Sequence, residues 1–438
     1  MRKGFIFNHN LCVGCNSCSA SCLLENNFDF VPREILKSDT ASVLPYSVIN
    51  LSLACNHCEV PVCLNGCPAG AFRRDLASGA VILDNSKCIG CRYCLWVCPY
   101  GAPKFDSGKG ITDKCHLCHH RISEGIAPAC TTACPVNALS YGNIPDNASL
   151  TGFAWFPDKK INPALSLTGS SDLRKVKQVP VASIIITENP KVSVNKITEE
   201  WSLIFFSFLA SVAAAIAALG KDFLFGGSLA LALCLTVLAA VLSLSHLGKP
   251  LRAWRSLSNL RHSPVSLEIL LLGVFGATLL ANQLFNDSIS GIILPVISVL
   301  LVFSVDSVYF NAESFRKDTV RSGQSVFIAA TIFSWLSGSE IAFIFMAASR
   351  ILLGFHSLYI QHKAGEIRFF SLRYFRIAIL IILVLALITG LNQDSGVLLI
   401  LLFTGEFIDR ALFYVDFKPV NISETITAAV KSNFNEKK

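Results

Sequence analysis

Sixteen of the seventeen cysteines fall within the first 134 of 438 residues, in four groups. Cys12, Cys15, Cys18 and Cys22 form C-x2-C-x2-C-x3-C, and Cys88, Cys91, Cys94 and Cys98 repeat that spacing. Cys55, Cys58, Cys63 and Cys67 form C-x2-C-x4-C-x3-C, and Cys115, Cys118, Cys130 and Cys134 form C-x2-C-x11-C-x3-C. Three closely spaced thiolates reach three corners of one iron-sulfur cubane from a short loop. A fourth, three residues further on and often followed by proline, points at a neighbouring cluster. Pro68, Pro99 and Pro135 follow the last cysteine of three groups. Sixteen such ligands make four 4Fe-4S clusters, each about −2 with its thiolates, so backbone amides and nearby Lys or Arg must offset roughly −8. Zinc also uses C-x2-C knuckles, but its two knuckles are usually a dozen or more residues apart. The first and third groups instead place four cysteines within eleven residues. With each group complete in cysteine, His57, His116, His119 and His120 read as neighbours of ligands or surface residues.

The rest of the chain must hold these groups and serve them. Hydrophobic residues make up 52% and charged ones 15%, against about 25% charged in a soluble domain. The apolar excess lies between Trp201 and Phe417, which excludes an all-soluble enzyme and puts a boundary near residue 190. The net charge of +7 is spread over short loops with no stripe of interleaved aromatics, so nucleic acid is not an expected partner. The start Met-Arg-Lys-Gly-Phe-Ile-Phe-Asn has no apolar stretch, cleavage site or twin-arginine motif. The cysteine-rich part is therefore expected to stay in the cytosol or to cross the membrane with a signal-bearing partner, and disulfides are the weaker reading. No Ser-His-Asp arrangement, phosphate-cradling glycine loop or flavin fingerprint is present, so any terminal chemistry belongs to another chain.

A span needs about 20 apolar residues. Candidates are 201–219, 224–245, 267–285, 289–310, 322–336, 340–360, 373–391 and 396–415, which predicts an eight-helix transmembrane bundle; the fifth is short and parted from the sixth only by Ser337-Gly338-Ser339. Eight spans put Lys249, Arg252, Arg255, Arg261, Arg316, Lys317, Arg321, Lys363, Arg368, Arg373 and Arg376 on one side, with only Lys221 in a loop on the other. The positive-inside rule then places both chain ends and the cysteine-rich domain in the cytoplasm of a bacterial inner membrane. The expected organisation is an α+β tandem ferredoxin-like domain over 1–190, a linker over 191–200, the membrane anchor over 201–418 and a polar tail over 419–438.

Cys12-Val-Gly-Cys15, Cys55-Asn-His-Cys58-Glu-Val-Pro-Val-Cys63, Cys88-Ile-Gly-Cys91-Arg-Tyr-Cys94 through Cys98-Pro-Tyr-Gly-Ala-Pro-Lys-Phe-Asp106, and Arg121 through Cys134-Pro-Val-Asn-Ala-Leu139 resemble the four-cluster subunit of the dimethyl sulfoxide reductase family. Pro180 to Pro190 resembles that subunit's extended carboxyl-terminal segment. The segment His246-Leu-Gly-Lys-Pro250 through Arg252, Trp254, Arg255 and Asn259, followed by Ser263-Pro-Val-Ser-Leu-Glu268, is similar to the family's membrane-anchor subunit, as is Gly405-Glu406 through Arg410 to Tyr414. Leu267 stands where many relatives have an arginine. The resemblance implies two subunits joined in one chain and a nested exchange of ligands. One cluster would rest on Cys12, Cys15, Cys18 and Cys134, and one on Cys115, Cys118, Cys130 and Cys22. The inner groups would give Cys55, Cys58, Cys63 and Cys98, and Cys88, Cys91, Cys94 and Cys67. It further implies a quinol site at His246 and Glu268, oxidation of menaquinol in anaerobic respiration, and a separate molybdopterin catalytic subunit. The family's better-known members place the cluster subunit in the periplasm, against the loop charges here.

Quinol oxidation releases two protons with two electrons, and a histidine at a helix end can accept one near neutral pH. A carboxylate such as Glu268 would pass it on; His246 as a mere helix cap is the plain alternative. Arg252 and Arg255 are expected to contact the quinol, lipid headgroups or the cluster domain. Arg350, mid-span, needs a partner, with Asp306, Glu340 and Glu406 as candidates; Glu406 and Arg410, spaced i, i+4, would otherwise satisfy each other. Cys234 reads as a packing residue. His246 and His356 are the histidines placed to ligate one haem, which is not favoured. Electron flow in the opposite direction, from a formate- or sulfur-oxidising partner into quinone, and a zinc-holding membrane scaffold are the alternative functions.

Overall fold

The computed structural model describes residues 2–39, 48–144, 156, 160–169, 196–220, 228–285, 290–310, 324–363, 370–391 and 395–416. The chain divides into two units. One is the amino-terminal part to Asn189 together with Gly248–Ser263; the other is Pro190–Leu247 with Pro264–Lys418. The 180–190 segment, the start of the expected linker, the tail beyond 418, Lys221 and the basic residues Arg316, Lys317, Arg321 and Arg368 lie outside the described residues. Gly248–Ser263, expected within the membrane anchor, belongs with the cysteine-rich unit instead.

In the first unit, strand β1 (Arg2–Asn8) is central to a three-stranded sheet. It runs antiparallel to β8 (Leu139–Ile144) and parallel to β9 (Leu165–Thr168). Period-two alternation turns Phe5 and Phe7 into the core. Gly4 is required where the strands close, because a Cβ there would lie 2.3 Å from the Ala164 carbonyl oxygen. Three antiparallel two-stranded ribbons follow: β2 (Glu34–Asp39) with β3 (Val48–Leu53), β4 (Phe72–Arg74) with β5 (Val81–Leu83), and β6 (Lys104–Asp106) with β7 (Ile111–Asp113). Short helices carry the third cysteine of each group: α1 (Ser17–Asn26), α2 (Val62–Gly66), α3 (Tyr93–Val97) and α5 (Ala129–Thr132), with α4 (His119–Ser123) just before α5. The unit is an α+β, ferredoxin-like arrangement in which α2 with its ribbon and α3 with its ribbon repeat one plan.

The second unit is helical. Its described helices are α6 (Lys196–Leu219), α7 (Ser228–Ser245), α8 (Pro264–Leu284), α9 (Ser290–Phe310), and the helices Gln324–Leu336, Glu340–Lys363, Phe370–Ile388 and Gly396–Asp416. Six are long and apolar enough to cross a membrane. Gln324–Leu336 has 13 residues, and Gly396–Asp416 carries Glu406, Asp409 and Arg410 among its apolar positions. The break at Ser337-Gly338-Ser339 is present, with Gly338 left-handed at φ 71. Helix α6 packs against α7, α9, Gln324–Leu336 and Gly396–Asp416. Its buried Ser207, Ala210, Ser211, Ala213 and Ala214 allow the close approach that small residues give between apolar helices. Cys234, expected to pack, is exposed on the outside of α7.

Buried charge in this unit is paired. Arg350 donates to Glu406 and to Asp409, and also to Thr331 Oγ1 at 3.0 Å. Arg376 lies 2.9 Å from Asp409, and Arg373 2.5 Å from Asp416. Arg410 does not satisfy Glu406, its i, i+4 neighbour: Glu406 is taken by Arg350, and Arg410 faces Asp306 at 3.7 Å and donates from Nε to Ser207 Oγ at 2.7 Å. Asp306 in turn accepts the backbone N–H groups of Ser325 and Val326, both at 3.0 Å, at the start of the helix Gln324–Leu336. Removing one member of a buried pair leaves an uncompensated charge worth roughly 3–5 kcal/mol. Arg350→Met should lower the thermal unfolding midpoint of the detergent-solubilised protein, and adding Glu406→Gln should recover part of the loss.

Candidate functional site

Each C-x2-C begins with the same backbone device. The second intervening residue is left-handed in all four: Gly14 (φ 71), His57 (φ 44), Gly90 (φ 73) and Leu117 (φ 64). Such a residue turns consecutive amides toward one point, the geometry that receives anions. Amides do reach the sulfurs. Leu117 N–H donates to Cys115 Sγ at 3.4 Å and Ala71 N–H to Cys67 Sγ at 3.3 Å. For His57 and Leu117, which unlike glycine carry a Cβ, the left-handed turn is a strain that only a well-determined surrounding sustains.

The thiols assemble in four sets, each mixing two sequence groups. Cys12 faces Cys18, Cys134 and Cys15, and the four line one small apolar cavity. Cys22 lies beside Cys130 and Cys118, and Cys115 beside Cys22 and Cys130. Cys58 faces Cys55, Cys98 and Cys63. Cys94 faces Cys91, Cys67 and Cys88. Cys55 is also a neighbour of Cys115, and Cys18 of Cys130, so adjacent sets lie within electrostatic reach of each other. No described cysteine is in a disulfide.

Burial pushes most of these thiols up, Cys12 and Cys98 to about 11 and Cys22 and Cys91 to about 12, with neighbouring thiols adding to the shift. The largely exposed Cys15 goes the other way, its thiolate favoured by the Ser17 hydroxyl. Binding iron requires the thiolate, so iron must displace protons from the thiols that burial pushes up. Two buried cations stand ready for the charge that results. Arg33, 1% exposed, faces Cys130, Cys115, Cys18 and Cys22, and its Nε and Nη2 have no hydrogen-bond partner among the described residues. Lys114, also 1% exposed, faces Cys55, Cys63 and Cys115 and donates to the Val81 and Cys115 carbonyls. His57 accepts the Val81 N–H on Nδ1 at 3.0 Å, which leaves Nε2 to carry the proton, 3.7 Å from Cys115 Sγ. Four sulfurs per set, inward amides and two orphaned guanidinium nitrogens fit bound iron-sulfur clusters.

The segment Gly248–Ser263 lies on the backbone around Cys67 and Cys88. Lys249 N–H donates to the Ile89 carbonyl at 3.1 Å, and Arg252 Nη1 to the carbonyls of Asn85 (3.0 Å) and Cys88 (3.1 Å). Its 3-10 helix Pro250–Asn259 ends with Asn259 Nδ2 donating to the carbonyls of Asn65 and Cys67, both at 2.9 Å. Ser263 Oγ donates to the Gly66 carbonyl at 2.8 Å. Arg255 instead stacks on the exposed Trp254, 4.8 Å from the ring centre. Sequence reasoning placed neither Asn259 nor Ser263 in a role, although both sit inside the segment whose pattern stood out.

The residues read as a quinol site fall in the helical unit. His246 is half-buried just beyond the end of α7, two positions before Gly248. Glu268, in the first turns of α8, has Arg410 and Asp306 as its charged neighbours. Arg410 is also ringed by Tyr309, Phe413 and Tyr414, 4.6–5.5 Å from their ring centres. The grouping of Glu268 with Asp306 and Arg410 joins the consecutive helices α8 and α9 to the distant helix Gly396–Asp416 and left no periodic trace in the sequence. His356 lines a separate cavity with Arg350, Arg373, Arg376 and Asp409.

Residues 46–144 match the 4Fe-4S dicluster domain family. Over 153 residues the sequence is 38% identical to an anaerobic dimethyl sulfoxide reductase chain of Escherichia coli (strain K12), covering 73% of that relative and 32% of this protein. This protein belongs to the family of that reductase chain. Two further relatives are named for related reductases. A tetrathionate reductase subunit of Salmonella typhimurium is 36% identical over 157 residues, 59% of its length and 33% of this protein. The thiosulfate reductase electron transfer subunit of Salmonella typhi is 35% identical over 141 residues, 73% of its length and 31% of this protein. This member of the dimethyl sulfoxide reductase family is an electron-transfer iron-sulfur protein that continues into membrane-capable helices.

Within the cysteine-rich unit, Gly248–Ser263 approaches the neighbouring backbone most tightly at glycines. A Cβ on Gly248 would lie 2.0 Å from the Gly110 carbonyl oxygen, and one on Gly90 2.8 Å from Gly248 Cα. Gly248→Val should therefore detach the segment while leaving the iron content unchanged, read as new proteolytic cleavage between 248 and 263.

Proposed function

We propose that this protein is the electron-transfer and membrane-anchor subunit of a quinol-dependent reductase complex, passing electrons from menaquinol to a separate molybdopterin catalytic subunit of the dimethyl sulfoxide reductase type. Four 4Fe-4S clusters would be held by Cys12, Cys15, Cys18 and Cys134; by Cys115, Cys118, Cys130 and Cys22; by Cys55, Cys58, Cys63 and Cys98; and by Cys88, Cys91, Cys94 and Cys67. When bound, the clusters supply one-electron redox chemistry at potentials set by charge, hydrogen bonds and burial. The observation that carries the reading is the seat of Gly248–Ser263 on the carbonyls of Cys67 and Cys88, two residues after His246. That segment closely follows the proposed quinol residue in the sequence.

The protein's own residues supply the proton side of the reaction. A quinol gives up two protons with its two electrons, and a neutral imidazole at His246 accepts the first through a hydrogen bond from the quinol hydroxyl. Glu268 is the next acceptor, with Arg410 and Asp306 as its charged neighbours. Arg33, Lys114 and the inward amides offset the negative charge of the sulfur sets.

We place the cluster domain on the cytoplasmic face of a bacterial inner membrane, following loop charge. Arg252 is used in holding the cysteine-rich unit, and Arg373 and Arg376 are paired with Asp416 and Asp409. The basic residues that remain to set the topology are Lys249, Arg255, Arg261 and those of the stretches after α9 and before Phe370–Ile388.

The full-length protein, purified anaerobically, should contain about sixteen iron atoms, four for each of four clusters, and give a paramagnetic signal on dithionite reduction. A menaquinol analogue should produce the same signal. His246→Ala should cut the rate of that reduction at least about tenfold at unchanged iron content; wild-type speed in the variant would remove His246 from the mechanism. Four zinc atoms and no iron would replace the reading with a metal-stapled scaffold.

A further inference from the structure

We propose that His116, His119 and His120 form a binding site for a divalent transition-metal ion, distinct from the sulfur sets. The three side chains are gathered by the turn that precedes α4. Leu117 and Cys118 are both left-handed, at φ 64 and 46, so the backbone reverses between His116 and the first helical residue, His119. One ligand nitrogen from each ring lies within 4.8 Å of the other two. The ring centres are 5.2, 5.6 and 6.2 Å apart, and the rings are steeply inclined to one another, at 89°, 62° and 88°. Three imidazoles on one tetrahedral ion, with metal–nitrogen distances of about 2.0–2.1 Å, have ring centres roughly 5 Å apart. The cluster needs little contraction to reach that arrangement.

Two of the ring nitrogens, His116 Nδ1 and His119 Nδ1, are buried and left without hydrogen bonds among the described residues, a cost that packing of three rings does not repay. His120 is held from outside the group: its Nε2 lies 3.0 Å from Glu25 Oε1, and Glu25 is itself fixed by Arg121 Nη1 at 2.7 Å. With Nε2 donating to a carboxylate, Nδ1 is the atom left to ligate, the orientation that outer carboxylates impose on metal-bound histidines. A neighbouring cavity reaches His116 and His119 and is lined by Asp29, Asp106 and Asp113 together with Lys109 and Lys114, with Asp29 and Asp106 paired to Lys109.

Donor chemistry narrows the ion. Three imidazoles with no carboxylate among them suit zinc, copper, nickel or ferrous iron and not magnesium or calcium. Three protein ligands leave a fourth position for water. Because His116 and His119 flank Cys115 and Cys118, a bound dication adds positive charge beside that sulfur set. On the iron-sulfur reading above, it favours the reduced form of the cluster held there.

Zinc titration of the full-length protein decides the matter. It would be purified anaerobically without a polyhistidine tag, stripped of loosely held metal with a chelator, and confirmed to carry its full iron. Elemental analysis after equilibrium dialysis against micromolar zinc should then find one zinc per molecule. His119→Gln combined with His120→Gln should abolish it, and Glu25→Gln should weaken it about tenfold at unchanged iron content. Zinc should also raise the reduction midpoint of one paramagnetic signal in the wild type and in no double variant. Failure of the iron-replete wild type to bind zinc, or undiminished zinc in the double variant, overturns the proposal. If the double variant loses iron, Glu25→Gln with wild-type zinc affinity overturns it alone. A protein that binds zinc but is not reduced by quinol would sink the quinol reading and leave this site standing.

Discussion

Buried sulfurs, which must become anionic wherever they bind iron, dominate the cysteine-rich unit. Burial pushes most of these thiols toward the protonated form, so a fold that carries clusters must supply compensating positive potential. It does so with parts that do not relax. Four left-handed residues aim amides inward, and Arg33 and Lys114 are fully enclosed between sulfur sets. The ferredoxin-like repeat of short helix and ribbon follows from this demand, since each unit of the repeat delivers one turn of amides and one displaced cysteine.

The helical unit answers the opposite problem. There the solvent is apolar, and every charge left inside needs an opposite charge at hand. Arg350, Arg373, Arg376 and Arg410 meet Asp306, Glu406, Asp409 and Asp416, four against four among the described residues. Asp306 does double duty, capping the start of Gln324–Leu336 while facing Arg410. The polar core is thus structural first. Glu268 stands at its edge, where an extra carboxylate has Arg410 to share.

How much of this was legible in the sequence depended on range. Cysteine spacing is local chemistry, and it announced the four sequence groups directly, while the exchange of cysteines between groups came only from the resemblance; hydropathy is a sum over about 20 residues, and it located the helices and the Ser337-Gly338-Ser339 break. Which arginine meets which carboxylate is a matter of packing between distant helices. The i, i+4 proximity of Glu406 and Arg410 therefore misled, because Arg350 lies closer to Glu406 in space. Cys234 was misread for a related reason: in an apolar solvent, a small residue is as well placed outside as in. Gly248–Ser263 was noticed as a motif, yet its membership of the cysteine-rich unit rests on backbone carbonyls, which every sequence has and none advertises.

The three-glycine approach of Gly90, Gly110 and Gly248 has one more implication. In a complex of separate subunits, such a contact is won by collision and lost by dilution. Here the partners hang on one covalent thread, so re-formation after a transient opening is a loop closure whose cost grows only with the logarithm of the intervening length. The seam between Gly248–Ser263 and the sulfur sets can therefore be small, with bonds that are individually weak, and still stay shut at any protein concentration.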